Sequence, residues 1–173
     1  MHKANYWGSL RCDTPWALLA SSMEALKHVG GDNGYDIALF TGDLVAHDDP
    51  YRYSHDFVKY SEQAQFDMLK HYLGNTPLVP SLGNHDTTPL NCMAASQWYP
   101  DNLQYQWDWD LNYVAELWKN RGWVNDNAVK DIKVHHGAFS MKPRKNLRVV
   151  SLNTDFWYCL LYTSPSPRDR TRS

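Results

Sequence analysis

Two short polar clusters hold residue types that bind divalent cations and move protons: Gly42-Asp43-Leu44-Val45-Ala46-His47-Asp48 and Gly83-Asn84-His85-Asp86. Asp43 offers a carboxylate that can bridge two cations. Asn84 offers a neutral carbonyl oxygen to one of them. The imidazoles of His47 and His85 can donate to phosphate oxygens or to a leaving group. A glycine precedes each cluster, Gly42 and Gly83, where the backbone must turn sharply and leave room for an ion. Taken singly, a Gly-Asp pair after a strand is an ordinary turn, and Asn-His-Asp is an ordinary polar loop. Taken together, the two clusters carry more weight, because each follows an apolar run and a helical stretch separates them.

The flanking segments explain how two such loops would meet. Ile37-Ala38-Leu39-Phe40 and Leu78-Val79-Pro80-Ser81-Leu82 read as short buried strands. Between them, Val58, Phe66, Met68, Leu69, Tyr72 and Leu73 lie on one helical stripe that Gly74 closes. A strand-helix-strand crossover of this kind places both loops at the carboxyl end of adjacent parallel strands, where α/β sheets bind ligands. Asp43, Asn84 and His85 are therefore expected to converge on one cleft, with His47 at its edge. Upstream, Asp13-Thr14-Pro15 reads as a helix start, with Asp13 as the capping residue and Leu18, Leu19, Met23, Leu26 and Val29 at helical spacing until Gly30-Gly31. Downstream, a helix is expected around Val114 to Lys119. Ile132 to Phe139 alternates like a strand, Lys142 to Asn146 is a polar turn, and Leu147 to Leu152 is a strand. The sum is an α/β layered domain whose late hairpin makes the β-sheet mixed.

The chain has 173 residues, 43% of them hydrophobic and 14% aromatic, which suits one domain with a core. A net charge of -2 gives no global attraction to nucleic acid or to an anionic membrane. No apolar run approaches a bilayer span, and Met1 to Leu10 lacks the apolar centre of a signal peptide. Either the mature protein is cytosolic or its true N-terminus lies upstream. Three cysteines (Cys12, Cys92 and Cys159) are too few for a disulfide framework. Residues 159–169, CLLYTSPSPRD, are the translation of a transposon-end sequencing adapter, so 159–173 is read as an artefact tail that packs against nothing, and 1–158 as the domain. His135-His136, in the apparent strand, would face opposite sides and could not chelate one ion. The Trp residues are read as packing, with Trp98, Trp107 and Trp109 as the candidates for a lipid-facing surface.

Gly42-Asp43 followed by Gly83-Asn84-His85-Asp86 resembles two blocks of the calcineurin-like metallophosphoesterases, whose series runs D-x-H, G-D, G-N-H-D/E and two later His blocks. Tyr6-Trp7-Gly8 with Arg11-Cys12-Asp13, Thr41 to Asp48, and Leu147 to Phe156 are similar to the acid sphingomyelinase branch in particular. The resemblance covers most of residues 6–158. It implies a layered metallophosphoesterase fold, here incomplete at both ends, since the D-x-H block and the later His blocks are not found. It implies two zinc ions, with Asp43 and Asn84 as metal ligands, and His85 and His47 as the catalytic pair that stabilises phosphoryl oxygens and protonates the departing alkoxide. Asp86 and Asp48 become the carboxylates that orient these imidazoles. Cys12 matches a cysteine that pairs with an upstream partner. Paired ions about 3.5–4 Å apart activate water and clamp phosphoryl oxygens. The implied reaction of the intact protein cleaves sphingomyelin to ceramide and phosphocholine, in a secreted or lysosomal/vacuolar setting, and the 173-residue chain alone is expected to be inactive. Alternatives are a metallophosphoesterase acting on nucleotides or polyphosphate, and a non-catalytic binding module of the same fold.

Overall fold

The computed structural model describes residues 5–48, 52–88 and 109–157. Helix α1 (Trp16–Gly30) leads through a 3-10 turn to β1 (Ala38–Phe40); α2 (His55–Leu73) then leads to β2 (Leu78–Pro80). Helices α3 (Trp109–Asn120) and α4 (Asp126–Val134) precede the hairpin β3 (Phe139–Arg144) and β4 (Leu147–Ser151), and a 3-10 turn, Thr154–Trp157, follows. Residues 159–173, with Cys92, Trp98 and Trp107, lie outside the described residues. Among those described, no helix is long and apolar enough to cross a membrane.

Each helix of the crossover begins and ends as local chemistry dictates. Ser54 caps α2 by accepting from Phe57 N at 3.1 Å, and Gly74 at φ 57° ends it in a conformation that favours glycine. The apolar stripe of α2 is buried through Val58, Phe66, Leu69 and Leu73. Phe66 meets Trp118 of α3 edge-on at 6.0 Å, and the core continues through Leu78, Val114, Ile132 and Phe139. Helix α1 starts after Pro15, as expected, but no side chain caps it. Asp13 is committed elsewhere, to His47.

β1 and β2 pair in parallel, Ala38 opposite Leu78 and Phe40 opposite Pro80, as the crossover requires. β3 and β4 pair antiparallel. The parallel and antiparallel components are both present, as two two-stranded sheets. They abut where the Ser151 hydroxyl donates to the Pro80 carbonyl at 3.1 Å. Pro80 has no N–H to offer a backbone ladder at that point.

Two expectations downstream are corrected. Residues up to Val134 are not strand but helix α4, because Ala128, Val129 and Ile132 share one buried helical face and Asn125 caps the start, accepting from Ala128 N at 3.0 Å. A short apolar alternation does not by itself separate the two periods. His135 and His136 therefore end a helix rather than line a strand, with His136 at φ 49°. The polar turn is also shorter than the sequence suggests: β3 runs through Pro143 and Arg144, and Lys145-Asn146 alone make the turn.

Candidate functional site

The parallel register of β1 and β2 sends both polar loops off the same end of the pair. Their backbones then touch. A Cβ on Gly42 would fall on Gly83 N, and one on Gly83 would fall on the Asp43 carboxylate. Gly42 sits at φ 88°, so glycine is required there twice over, by conformation and by space. Asp43 itself adopts φ 64°, uncommon for a residue with a side chain.

Asp86 explains how Asp43 stays in that conformation. The Asp86 carboxyl is fully buried and accepts from three backbone donors: Asp43 N at 2.8 Å, Gly83 N at 2.8 Å and Leu44 N at 2.6 Å. Burial pushes the carboxyl up to about 6, and the three N–H donors oppose that rise. The expectation that Asp86 orients an imidazole is corrected: its oxygens bind the loop backbone, which would otherwise carry orphaned N–H groups. With Asp86 tying both loops together, His85 N reaches Asp43 Oδ1 at 3.2 Å. Asn84, between Gly83 and His85, is half-buried.

The two imidazoles meet. The rings of His47 and His85 lie 4.1 Å apart, tilted by 50°. Among the described residues His85 Nδ1 is buried without a hydrogen-bond partner, and burial followed by the neighbouring His47 charge pulls the His85 pKa down. His47 is held by Asp13, which accepts from His47 N at 2.8 Å and lies 2.8 Å from Nδ1 through its other oxygen. Asp48, expected to orient an imidazole, instead lies against Arg52 at 3.6 Å, because Tyr53 turns the loop: its hydroxyl donates to Ala46 O and accepts from Asp48 N.

Known proteins are similar to this chain in sequence. A family model described as calcineurin-like phosphoesterase matches residues 13–168. The chain belongs to the calcineurin-like phosphoesterases. It is 28% identical to a sphingomyelin phosphodiesterase from Bos taurus over 94% of this chain and 26% of the relative. It is 33% identical to an acid sphingomyelinase-like phosphodiesterase 3b from Mus musculus over 90% of this chain and 31% of the relative. It is 29% identical to a cyclic GMP-AMP phosphodiesterase from Homo sapiens, over 88% of this chain and 31% of that one. The chain thus spans about a quarter to a third of the length of these relatives.

Calcineurin-like phosphoesterases work with divalent metal ions, and the donors present fit such an ion in kind. Asp43 carries an exposed carboxylate at the loop junction, and Asn84 lies on the opposing loop, next in sequence to the His85 whose N–H reaches Asp43. Among the described residues no three His, Cys, Asp or Glu side chains converge as a ligand set, so the fit is to part of a coordination sphere. A cavity of about 390 Å³ opens beside Asp43 and His47, walled by Trp16, Phe57 and Tyr60. Two acidic residues of this site escaped the sequence reading. One is Asp13, misread as a helix cap. The other is Asp155, a buried carboxyl just past β4, raised to about 6 by burial and then by the charges of Asp86 and Asp43. Their signal was only a lone Asp in each case. Cys12 is an exposed free thiol. Trp109 stacks on His55 at 4.2 Å.

Proposed function

We propose that the intact protein is a metal-dependent phosphodiester hydrolase that cleaves sphingomyelin to ceramide and phosphocholine, with two zinc ions. The observation that carries the reading is the meeting of the two loops: Asp43, His85 and His47 gather at one end of the β1–β2 pair. Sphingomyelin is the substrate named for several relatives. Asp43 and Asn84 would hold metal. Bound divalent ions supply an activated water and charge for the phosphoryl oxygens. The chain's own residues do the rest: the His47–His85 pair faces the departing oxygen, and Asp86 keeps the loops in register. By the same family likeness, the intact protein works outside the cytosol, secreted or in a lysosome or vacuole, and tagged full-length protein should be recovered there.

A second reading, hydrolysis of nucleotide phosphodiesters, is supported by the cyclic GMP-AMP phosphodiesterase among the relatives. The test gives full-length protein and zinc to sphingomyelin vesicles and, separately, to a cyclic dinucleotide. Release of phosphocholine, lost in Asp43→Ala, is the expected result. Turnover of the dinucleotide alone replaces the first reading with the second. Turnover of neither, with metal bound, makes the protein a binding module.

A further inference from the structure

The Asp13 carboxylate and the His47 ring form a contact that the phosphoesterase loops alone do not explain. Asp13 lies before α1, thirty-four residues upstream, and belongs to neither polar cluster. Its two oxygens divide their work: Oδ2 accepts from the His47 backbone and Oδ1 faces the ring. Partial burial works against ionisation of Asp13, but the hydrogen bonds and charge of His47 hold its carboxyl below the ordinary value. An ionised carboxylate only accepts, so a 2.8 Å contact places the hydrogen on Nδ1. Nε2 is then the nitrogen free to exchange a proton. The contact contributes little to stability, because the two side chains are 71% and 42% exposed and water competes for both. What it does fix is the tautomer and heading of an otherwise exposed ring.

We propose that Asp13 is the positioning residue for His47 and commits Nε2 of that ring to protonating the departing alkoxide, which rests on the phosphodiesterase reading above. In the step, a water oxygen bonds to phosphorus as the bond from phosphorus to the leaving oxygen breaks. The electron pair leaves with that oxygen, which takes the Nε2 proton of the His47 imidazolium. The proton lost by the attacking water passes to solvent, from which His47 is recharged. Asp13 stays ionised throughout and compensates the ring's positive charge.

The test compares Asp13→Asn with wild-type full-length protein on two phosphodiesters that share a phosphoryl half. One releases 4-nitrophenolate, which leaves without a proton. The other releases an alkoxide, which needs one. Asp13→Asn should slow the alkoxide substrate about 10- to 100-fold in kcat, within the range of general acid catalysis, and the nitrophenyl substrate about 3-fold or less. His47→Gln should show the same pattern, and the double variant should be no slower than His47→Gln alone. Nitrogen-15 spectra of labelled histidine should show His47 moving from the Nδ1–H to the Nε2–H form in Asp13→Asn. Equal slowing on both substrates, or an unchanged His47 tautomer, overturns the proposal. If wild type cleaves neither substrate, the phosphodiesterase reading fails on its own, and the tautomer still decides whether Asp13 positions the ring.

Discussion

Two sets of buried acids sit a short way apart and are handled in opposite ways. Asp86 is fully buried and receives three backbone N–H groups. Glu62 on α2 and Asp110 on α3 are as deeply buried, and among the described residues no backbone donor reaches any of their four carboxyl oxygens. Burial, then the charge of Asp110 and of Asp86, pushes Glu62 well above the ordinary carboxylate range; burial, then Asp86, does the same to Asp110. The first acid is a structural clamp whose charge is solvated by the loops it organises. The second pair has no such donors among the described residues, and the charge of Lys59 does not offset the burial, so it keeps a proton. A buried carboxyl is thus read by what points at it, not by its depth.

The largest expected effect comes from removing the clamp. Asp86→Ala leaves three backbone N–H groups without their acceptor and frees Asp43 from its left-handed conformation, at a cost of about 3–5 kcal/mol. Asp86→Asn keeps one acceptor oxygen and should lose less. Urea unfolding of both variants checks the order, and Asn costing as much as Ala would remove the case that acceptor count matters. Next comes Gly83→Ala. The added methyl would occupy the space of the Asp43 carboxylate and must displace it, costing about 1–3 kcal/mol and the loop contact with His85 N.

Substitution in the second acid set should have the opposite sign, while on pH Asp86 and Asp155, both raised to about 6, lean the same way as this pair. A carboxyl whose folded pKa is raised binds its proton more tightly when folded. Its stabilising contribution is therefore whole below the ordinary values of 3.8 and 4.5, and is lost as pH rises from there through the folded pKa. Thermal midpoints should fall between pH 5 and pH 8. Glu62→Gln, which stays neutral and donates to Asp110, should flatten that slope and add about 1 kcal/mol at pH 7.5. Midpoints that rise with pH in wild type would show that the pair is solvated after all.

How much of this was legible depended on range. Both strands and the α2 crossover were readable because Phe66, Leu69 and Leu73 repeat at a local period and Gly74 marks an end. The meeting of the Gly42 and Gly83 loops followed from that topology. What failed were choices that tertiary contacts decide. Asp13 has the right type for a helix cap but lies two residues before the N-cap Pro15, and its carboxylate meets His47 instead. Asp48 sits beside a histidine in sequence but beside Arg52 in space. The first residues of the strand expected over Ile132 to Phe139 became the end of α4, because Ala128, Val129 and Ile132 bury one helical face in the core. Asp155 offered no more than a lone Asp, since its neighbours Asp43 and Asp86 are distant in the chain.

An exposed acid completes the comparison with the smallest effect. Glu116 on α3 meets Lys133 of α4 at 2.8 Å, as short as two of the three bonds that Asp86 accepts, but this contact is made in water. The lysine lowers the Glu116 pKa, first through the hydrogen bond and then through charge. Such a contact has a good distance and little consequence, because both partners are solvated when it breaks and two long side chains are ordered to make it. Glu116→Gln should leave the thermal midpoint at neutral pH unchanged within error, and should leave the pH slope set by Glu62 and Asp110 intact. A clear fall in the midpoint, removed by high salt, would mean that the α3–α4 surface depends on this pair. Burial would then have to be set aside as the quantity that ranks the acids of this fold.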